Sequence, residues 1–281
     1  MIMKNTVTVP QIQLKKKKRE KITMLTAYDV AFAGLCDEAG IDMILVGDSL
    51  GRVFQGHDNT LPVTMDQSIY HTQCVCRGTK RAMVITDMPF LSYQVSTEQA
   101  MQNAGRVLKE TSAKAVKLEG GRELAPAVFA LTRAGIPVMG HIGLQPQSIH
   151  ALGNYKMQGK TPKQAKELLE TAKVLQEAGC FSLVLECVTA ETAQEITESL
   201  LIPTIGIAAG PHCDGQVLVI HDMLGLFAEP KLKHVKVYEN LYPVILKAIQ
   251  GYKHEVETSQ FPEEAQTTHR ETLLSVASTQ A

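Results

Sequence analysis

The stretch Met43-Ile44-Leu45-Val46-Gly47-Asp48-Ser49-Leu50-Gly51 constrains this chain more than any other. Four apolar residues in a row read as a strand buried on both faces, and they stop at Gly-Asp-Ser, where the chain must turn and offer polar groups. The same layout, an apolar run ending in a carboxylate, returns at 82–87, 115–120 and 183–186. The carboxyl ends of buried parallel strands are where α/β enzymes keep their chemistry. Four such ends point to a site assembled from several strands.

Further strands are expected at 22–29, 137–143 and 204–210, and residues 216–221 read as either a strand or a helix. Helices are expected between them at 30–40, 66–79, 96–111 (with Ser96 as N-cap), 122–134, 163–178 and 190–200. Strands alternating with helices imply a parallel sheet with right-handed crossovers. A chain of 281 residues suits one (β/α) barrel, which takes roughly 250. No Gly-x-Gly-x-x-Gly follows the first strand and no Walker loop occurs, so nucleotide-binding open sheets lose support. The expected fold is therefore α/β, a single-domain (β/α)8 TIM barrel at 21–252. A basic arm at 1–20 precedes it, and a flexible polar tail at 253–281 follows. The polar stretches 52–64 and 145–162 are expected as loops, the first a lid or substrate loop.

Composition closes off other classes. A net charge of −1 gives no global field toward nucleic acid or an anionic membrane, and no apolar run approaches a membrane span. No apolar segment follows the polar N-terminus as a secretory signal would require. Six scattered cysteines, with only Cys74 and Cys76 close and not at a zinc spacing, read as reduced thiols of a cytoplasmic enzyme. The run Lys15-Lys16-Lys17-Lys18-Arg19 reads as a solvated helix face rather than a nucleic-acid patch.

In a barrel, Asp48, Asp87 and Glu119 converge at the ends of adjacent strands. Three clustered carboxylates repel one another, and oxygen-only ligands suit Mg²⁺ or another hard divalent cation. Each taken alone also reads as a helix N-cap or a surface ion-pair member. Lys117, two residues before Glu119, shares its face of the strand. As a buried ammonium it fits a substrate carboxylate, a Schiff base, or a simple pair with Glu119. Glu186 ends a strongly apolar strand, where burial would suit it to proton abstraction; it also reads as a cap for the next helix. His141, between glycines, reads as an anion contact or as structural, and the glycines of 206–210 as an anion cradle or as tight packing. A divalent ion, a cationic anchor and a separate base together suggest chemistry through the enolate of a 2-oxo acid.

Several blocks closely resemble the ketopantoate hydroxymethyltransferase family. They are Leu25-Thr26-Ala27-Tyr28-Asp29, Val46-Gly47-Asp48-Ser49-Leu50-Gly51, the run from Gln55 to Thr64, Val116-Lys117-Leu118-Glu119-Gly120-Gly121, the run from Gly140 to Ser148, Val184-Leu185-Glu186-Cys187-Val188 and Asp214-Gly215-Gln216. The likeness spans about residues 20 to 264. It implies a (β/α)8 barrel of the pyruvate-enolate superfamily that transfers the one-carbon unit of 5,10-methylenetetrahydrofolate to 3-methyl-2-oxobutanoate, giving 2-dehydropantoate in pantothenate biosynthesis. Residue by residue, it implies Mg²⁺ at Asp48, Asp87 and Glu119, contacts to the oxo acid from Asp48, Ser49, Asp87 and Lys117, and proton acceptance by Glu186. It also implies a homodecamer.

The chain departs from the family pattern at Ala208, at Pro211-His212-Cys213, at Asn154 and in a longer tail. Two rival readings remain at this stage. One is a folate-independent carbon–carbon lyase of the same superfamily, the other a non-catalytic metabolite-binding barrel.

Overall fold

A computed structural model describes residues 6–153, 156–228 and 233–269. Its eight strands close into a parallel barrel in chain order. They are β1 (Ile22–Thr26), β2 (Met43–Val46), β3 (Met83–Asp87), β4 (Ala115–Glu119), β5 (Val138–Gly143), β6 (Ser182–Glu186), β7 (Thr204–Ile207) and β8 (Gly215–Leu218). The helices are α1 (Val9–Lys18), α2 (Val30–Glu38), α3 (Leu50–Val53), α4 (Met65–Gly78), α5 (Thr97–Glu110), α6 (Ala125–Arg133), α7 (Ile149–Leu152), α8 (Pro162–Glu177), α9 (Ala190–Ser199), α10 (Ile220–Met223) and α11 (Leu241–Glu257). Residues 216–221, open between strand and helix in the sequence, divide: β8 pairs with both β7 and β1 and closes the barrel, and α10 follows.

Helix starts follow local chemistry. Asp29 accepts from the N–H groups of Ala31 and Phe32 at the start of α2, and Ser96 accepts from Gln99 at the start of α5, as expected. Thr64 and Gln67 form a reciprocal capping box on α4.

Strand periodicity then decides what faces inward. Met24, Met43, Leu45, Met83, Ile85, Ala115, Met139, Val184, Ile205 and Val217 form one apolar cluster inside the barrel. Their strand neighbours Ile44, Val84, Val116, Leu118, Val138, Leu183 and Leu185 join a second cluster beneath the helices. Side chains two apart share a face, so the inward parity carried one step further up the strands reaches Asp87, Lys117, Glu119, His141 and Glu186.

Helix α1 closes the opposite end. Ile12 is buried in the interior cluster beside Ile22 and Met43. Lys15 bonds Asp42 at 2.7 Å and Lys16 bonds Asp214 at 2.8 Å. Of the basic run expected as a solvated helix face, Lys17, Lys18 and the capping Arg19 are exposed, whereas Lys15 and Lys16 are not.

Three further differences have local causes. The stretch expected to be too polar for any element begins within α3, because Leu50 is fully buried and draws the chain into a turn. The loop after β5 contains a 3₁₀ turn at Pro146–Ser148 and then α7. Helix α11 continues to Glu257, into the stretch expected as a tail, and buries none of its residues. Asn154 and residues 270–281 lie outside the described residues.

Candidate active site

The carboxyl ends of β2 to β6 gather a charged cluster in a nearly water-free setting. Asp48, Asp87, Lys117, Glu119 and His141 are all buried. Strand register sets the neighbours: Asp87 is opposite Lys117, and Glu119 is opposite His141. Asp87 ion-pairs with Lys117 through one oxygen and accepts the Asp48 N–H at 3.1 Å through the other. Asp48 accepts from the Gln147 side-chain amide at 3.0 Å, and Glu119 accepts from the Gln147 backbone N–H at 2.6 Å.

The electrostatics follow from three carboxylates facing one ammonium. Burial, reinforced by the charge of Asp87, pushes the Asp48 carboxyl up to about 7. Burial and the Asp48 charge likewise hold Glu119 well above the ordinary carboxylate range. Burial works against the Lys117 ammonium, but Asp87, Asp48 and Glu119 outweigh it and raise its pKa. The cluster is one or two positive charges short.

Among the described residues, no three His, Cys, Asp or Glu side chains stand close enough together to hold a metal ion as they are. Asp87 is turned to Lys117, and Gln147 stands between Asp48 and Glu119. The expected trio is thus brought together as one touching pair, Asp48 with Asp87, and one bridged pair, Asp48 with Glu119. Its chemistry still fits a hard divalent cation: the donors are all oxygen, and two of the three carboxyls favour their protons where no cation compensates them.

His141 stands between this cluster and Glu186. Its ring nitrogens lie 3.5 Å from Glu119 and 3.3 Å from Glu186, and neither makes a well-aligned hydrogen bond. Glu186, expected to be buried, keeps 21% of its side chain exposed. It lies at the last position of β6, opposite Gly143, so its carboxylate reaches the mouth. Ser49 is half-buried and shares a 2.8 Å hydrogen bond with the Tyr28 hydroxyl.

Sequence reasoning passed over Gln147 and Tyr93. The Tyr93 hydroxyl lies 2.7 Å from the Gln147 side-chain oxygen and 2.8 Å from the Glu119 carbonyl. Both line a cavity of ≈ 370 Å³ beside Glu119, with Phe90 and Gln94. The available signal was the polar Gln145-Pro146-Gln147-Ser148 directly after an apolar strand. The glycines of 206–210, in and after β7, are read best as packing: a side chain at Gly206 would meet Cys213 and Gln216, and one at Gly210 would meet Ala190.

Comparison with known proteins bears on the fold and the family. The barrel resembles a phosphonopyruvate hydrolase solved with oxalate and Mg²⁺ (TM-score 0.60, 10% identity, 93% of this chain and 91% of that one). It also resembles a phosphoenolpyruvate phosphomutase from Streptomyces platensis subsp. rosaceus (TM-score 0.60, 14% identity, 89% and 88%). At these identities the likeness is one of fold. Sequence relatives are much nearer. The 3-methyl-2-oxobutanoate hydroxymethyltransferase of Syntrophomonas wolfei is 57% identical over 92% of this chain and 94% of its own length. That of Moorella thermoacetica is 52% identical over 94% and 98%. The family model described as ketopantoate hydroxymethyltransferase matches residues 6–264, and the chain belongs to that family.

Proposed function

We propose that this enzyme transfers a hydroxymethyl group from 5,10-methylenetetrahydrofolate to 3-methyl-2-oxobutanoate, giving 2-dehydropantoate, through the enolate of the oxo acid. Family membership supports the reaction. The observation that carries the mechanism is the division of the mouth into a cation-seeking cluster on β2, β3 and β4 and a separate, partly open carboxylate on β6.

Asp48, Asp87 and Glu119 are the residues that would hold Mg²⁺ or a similar hard divalent ion. When bound, that ion supplies Lewis acidity for the carboxylate and keto oxygens of the oxo acid. Lys117, kept charged by its neighbours, binds the substrate's negative charge and orients it together with Asp48, Ser49 and Asp87. Glu186 accepts the proton from C3: the C–H electron pair becomes the enolate, and C3 then forms the new bond to the one-carbon unit, whose bonds to the folate nitrogens break while water supplies the hydroxyl and tetrahydrofolate leaves. Its partial exposure lets the captured proton leave to solvent between turnovers. His141, between Glu119 and Glu186, keeps the two carboxylates apart and lies within reach of the oxo acid.

The exposed apolar residues Tyr242, Val244, Ile245, Ile249 and Tyr252 of α11 offer a face for self-association, and the homodecamer implied by the family resemblance is checked by light scattering. No described helix is long and apolar enough to cross a membrane.

The reaction is tested by NMR of a mixture of enzyme, 3-methyl-2-oxobutanoate, Mg²⁺ and 5,10-methylenetetrahydrofolate. Formation of 2-dehydropantoate that needs both Mg²⁺ and the folate is expected. Failure to form 2-dehydropantoate, with folate-independent cleavage of a substituted malate in a parallel mixture that contains it, would contradict the proposal and favour a lyase.

A further inference from the structure

Gln147 has more bonds into the acidic cluster than any role so far assigned to it requires. It is 4% exposed. Its side-chain nitrogen donates to Asp48 Oδ2 and to the Met88 carbonyl, both at 3.0 Å. Its side-chain oxygen accepts from Gln94 Nε2 at 3.0 Å and faces the Tyr93 hydroxyl at 2.7 Å. An amide has two N–H donors and two acceptor lone pairs; here both donors and one lone pair are taken, and the Tyr93 hydroxyl, which shares its one hydrogen with the Glu119 carbonyl, faces the other. A flipped amide would set its oxygen against a carboxylate and a carbonyl, so the orientation is over-determined. From its backbone the same residue donates to Glu119 Oε1 at 2.6 Å.

One residue in the loop after β5 therefore grips acidic side chains at the ends of β2 and β4. Asp48 is left with Oδ1 free of Gln147, and Glu119 with Oε2. Carboxylates that bind a cation are commonly oriented by such outer hydrogen bonds. A neutral amide is the fitting choice, because a fourth carboxylate would deepen the repulsion and an ammonium would take the cation's place.

We infer that Gln147 is a positioning residue, which aims Asp48 and Glu119 at the divalent cation and is itself aimed by Tyr93. This rests on the reading of Asp48, Asp87 and Glu119 as the cation site. Gln147 touches no reacting atom in this account; it acts through the two carboxylates.

The test uses full-length Gln147→Met, which keeps the bulk and removes the amide, and Tyr93→Phe, which removes one hydroxyl. Mn²⁺ serves as the probe, its binding followed by electron paramagnetic resonance without substrate, beside thermal unfolding and steady-state kinetics. Gln147→Met should lose about 10- to 100-fold in Mn²⁺ affinity at an unfolding temperature near that of the wild type. Tyr93→Phe should lose less, in the same direction, and the double variant should be no weaker than Gln147→Met alone. Kinetic activity should return at high Mn²⁺, as a merely destabilised protein would not allow. Unchanged Mn²⁺ affinity in both folded single variants, or simple additivity in the double variant, would overturn the inference. Should Gln147→Met fail to fold, Tyr93→Phe alone decides by the same readout. Absence of Mn²⁺ binding in the wild type would instead overturn the cation site itself, and this inference with it.

Discussion

The two ends of this barrel use the same kinds of side chain to opposite effect. At the amino-terminal end, Asp42 is met by Lys15, by Arg81 and by both the N–H and the hydroxyl of Thr23. Asp214 is met by Lys16 and Thr204. Although burial alone would raise it, the Lys15 and Thr23 bonds hold the Asp42 carboxyl below the usual range. At the carboxyl-terminal end, three carboxylates share one lysine, and Asp48 and Glu119 are pushed upward. Backbone strain divides in the same way. Leu91, Cys187 and Ala208 carry positive φ in the loops after β3, β6 and β7, whereas among the described non-glycine residues of the amino-terminal end Arg19 does, as the cap of α1, and the turns after α2, α6 and α8 use Gly40, Gly135 and Gly179 instead. At the bottom each of these carboxylates has its own lysine; at the top carboxylates outnumber the one ammonium. Conserving energy at one end and leaving charge unmatched at the other is how a barrel separates stability from function.

The comparison is broken most forcefully by exchanging its two halves. Asp42→Ala should destabilise the protein by roughly 2–3 kcal/mol, the loss of a buried carboxylate whose lysine partner is partly exposed and so discounted. Urea unfolding checks this, and Mn²⁺ affinity in the same variant should be unchanged. At the top, Lys117→Ala should weaken binding of 3-methyl-2-oxobutanoate by roughly 1.5–3 kcal/mol, a charge-assisted hydrogen bond, with a smaller effect on Mn²⁺. Calorimetry with each ligand separates the two; a collapse of metal affinity would make Lys117 part of the cation site rather than the substrate anchor.

Titration sharpens the contrast, since the signs are opposite. Asp42 is depressed, so its contribution to stability is full above the ordinary carboxylate range and is lost as pH falls through it. Asp42→Asn should flatten that acid limb of stability. Asp48 is raised to about 7, so below that pH a cation must displace its proton. Glu119 is raised as well, so Mn²⁺ affinity should climb by at least about tenfold per unit on approaching pH 7 from below. The smallest effect is expected at Ala208, whose φ is 52°. Ala208→Gly should stabilise by up to about 1 kcal/mol, read from chemical denaturation, because glycine adopts that conformation without strain.

How far the sequence could be read follows from the kind of signal each residue carries. Asp87, Lys117, Glu119 and Glu186 are legible because period-two alternation and an apolar run together state which face they share and at which end they lie. Gln147 is not, because its neutral amide sits in an irregular loop and its partner Asp48 lies in the turn after β2, far away in the chain. Lys15 and Lys16 read only as basic, since their pairing with Asp42 and Asp214 is made by the closed barrel and not by any local pattern. The partial exposure of Glu186 is a matter of how far β6 protrudes, which composition does not encode.

The central claim is that the top of the barrel holds an enolate-forming pair of sites, a cation cluster and a distinct base. Its most direct measurement is proton exchange at C3 of 3-methyl-2-oxobutanoate in D₂O, followed by NMR with Mg²⁺ and no folate, for the wild type and Glu186→Gln. The account predicts Mg²⁺-dependent exchange in the wild type, and in the variant a loss of at least about 100-fold with oxo-acid and Mn²⁺ binding retained. Exchange that survives in Glu186→Gln, or that needs no divalent ion in the wild type, would contradict it.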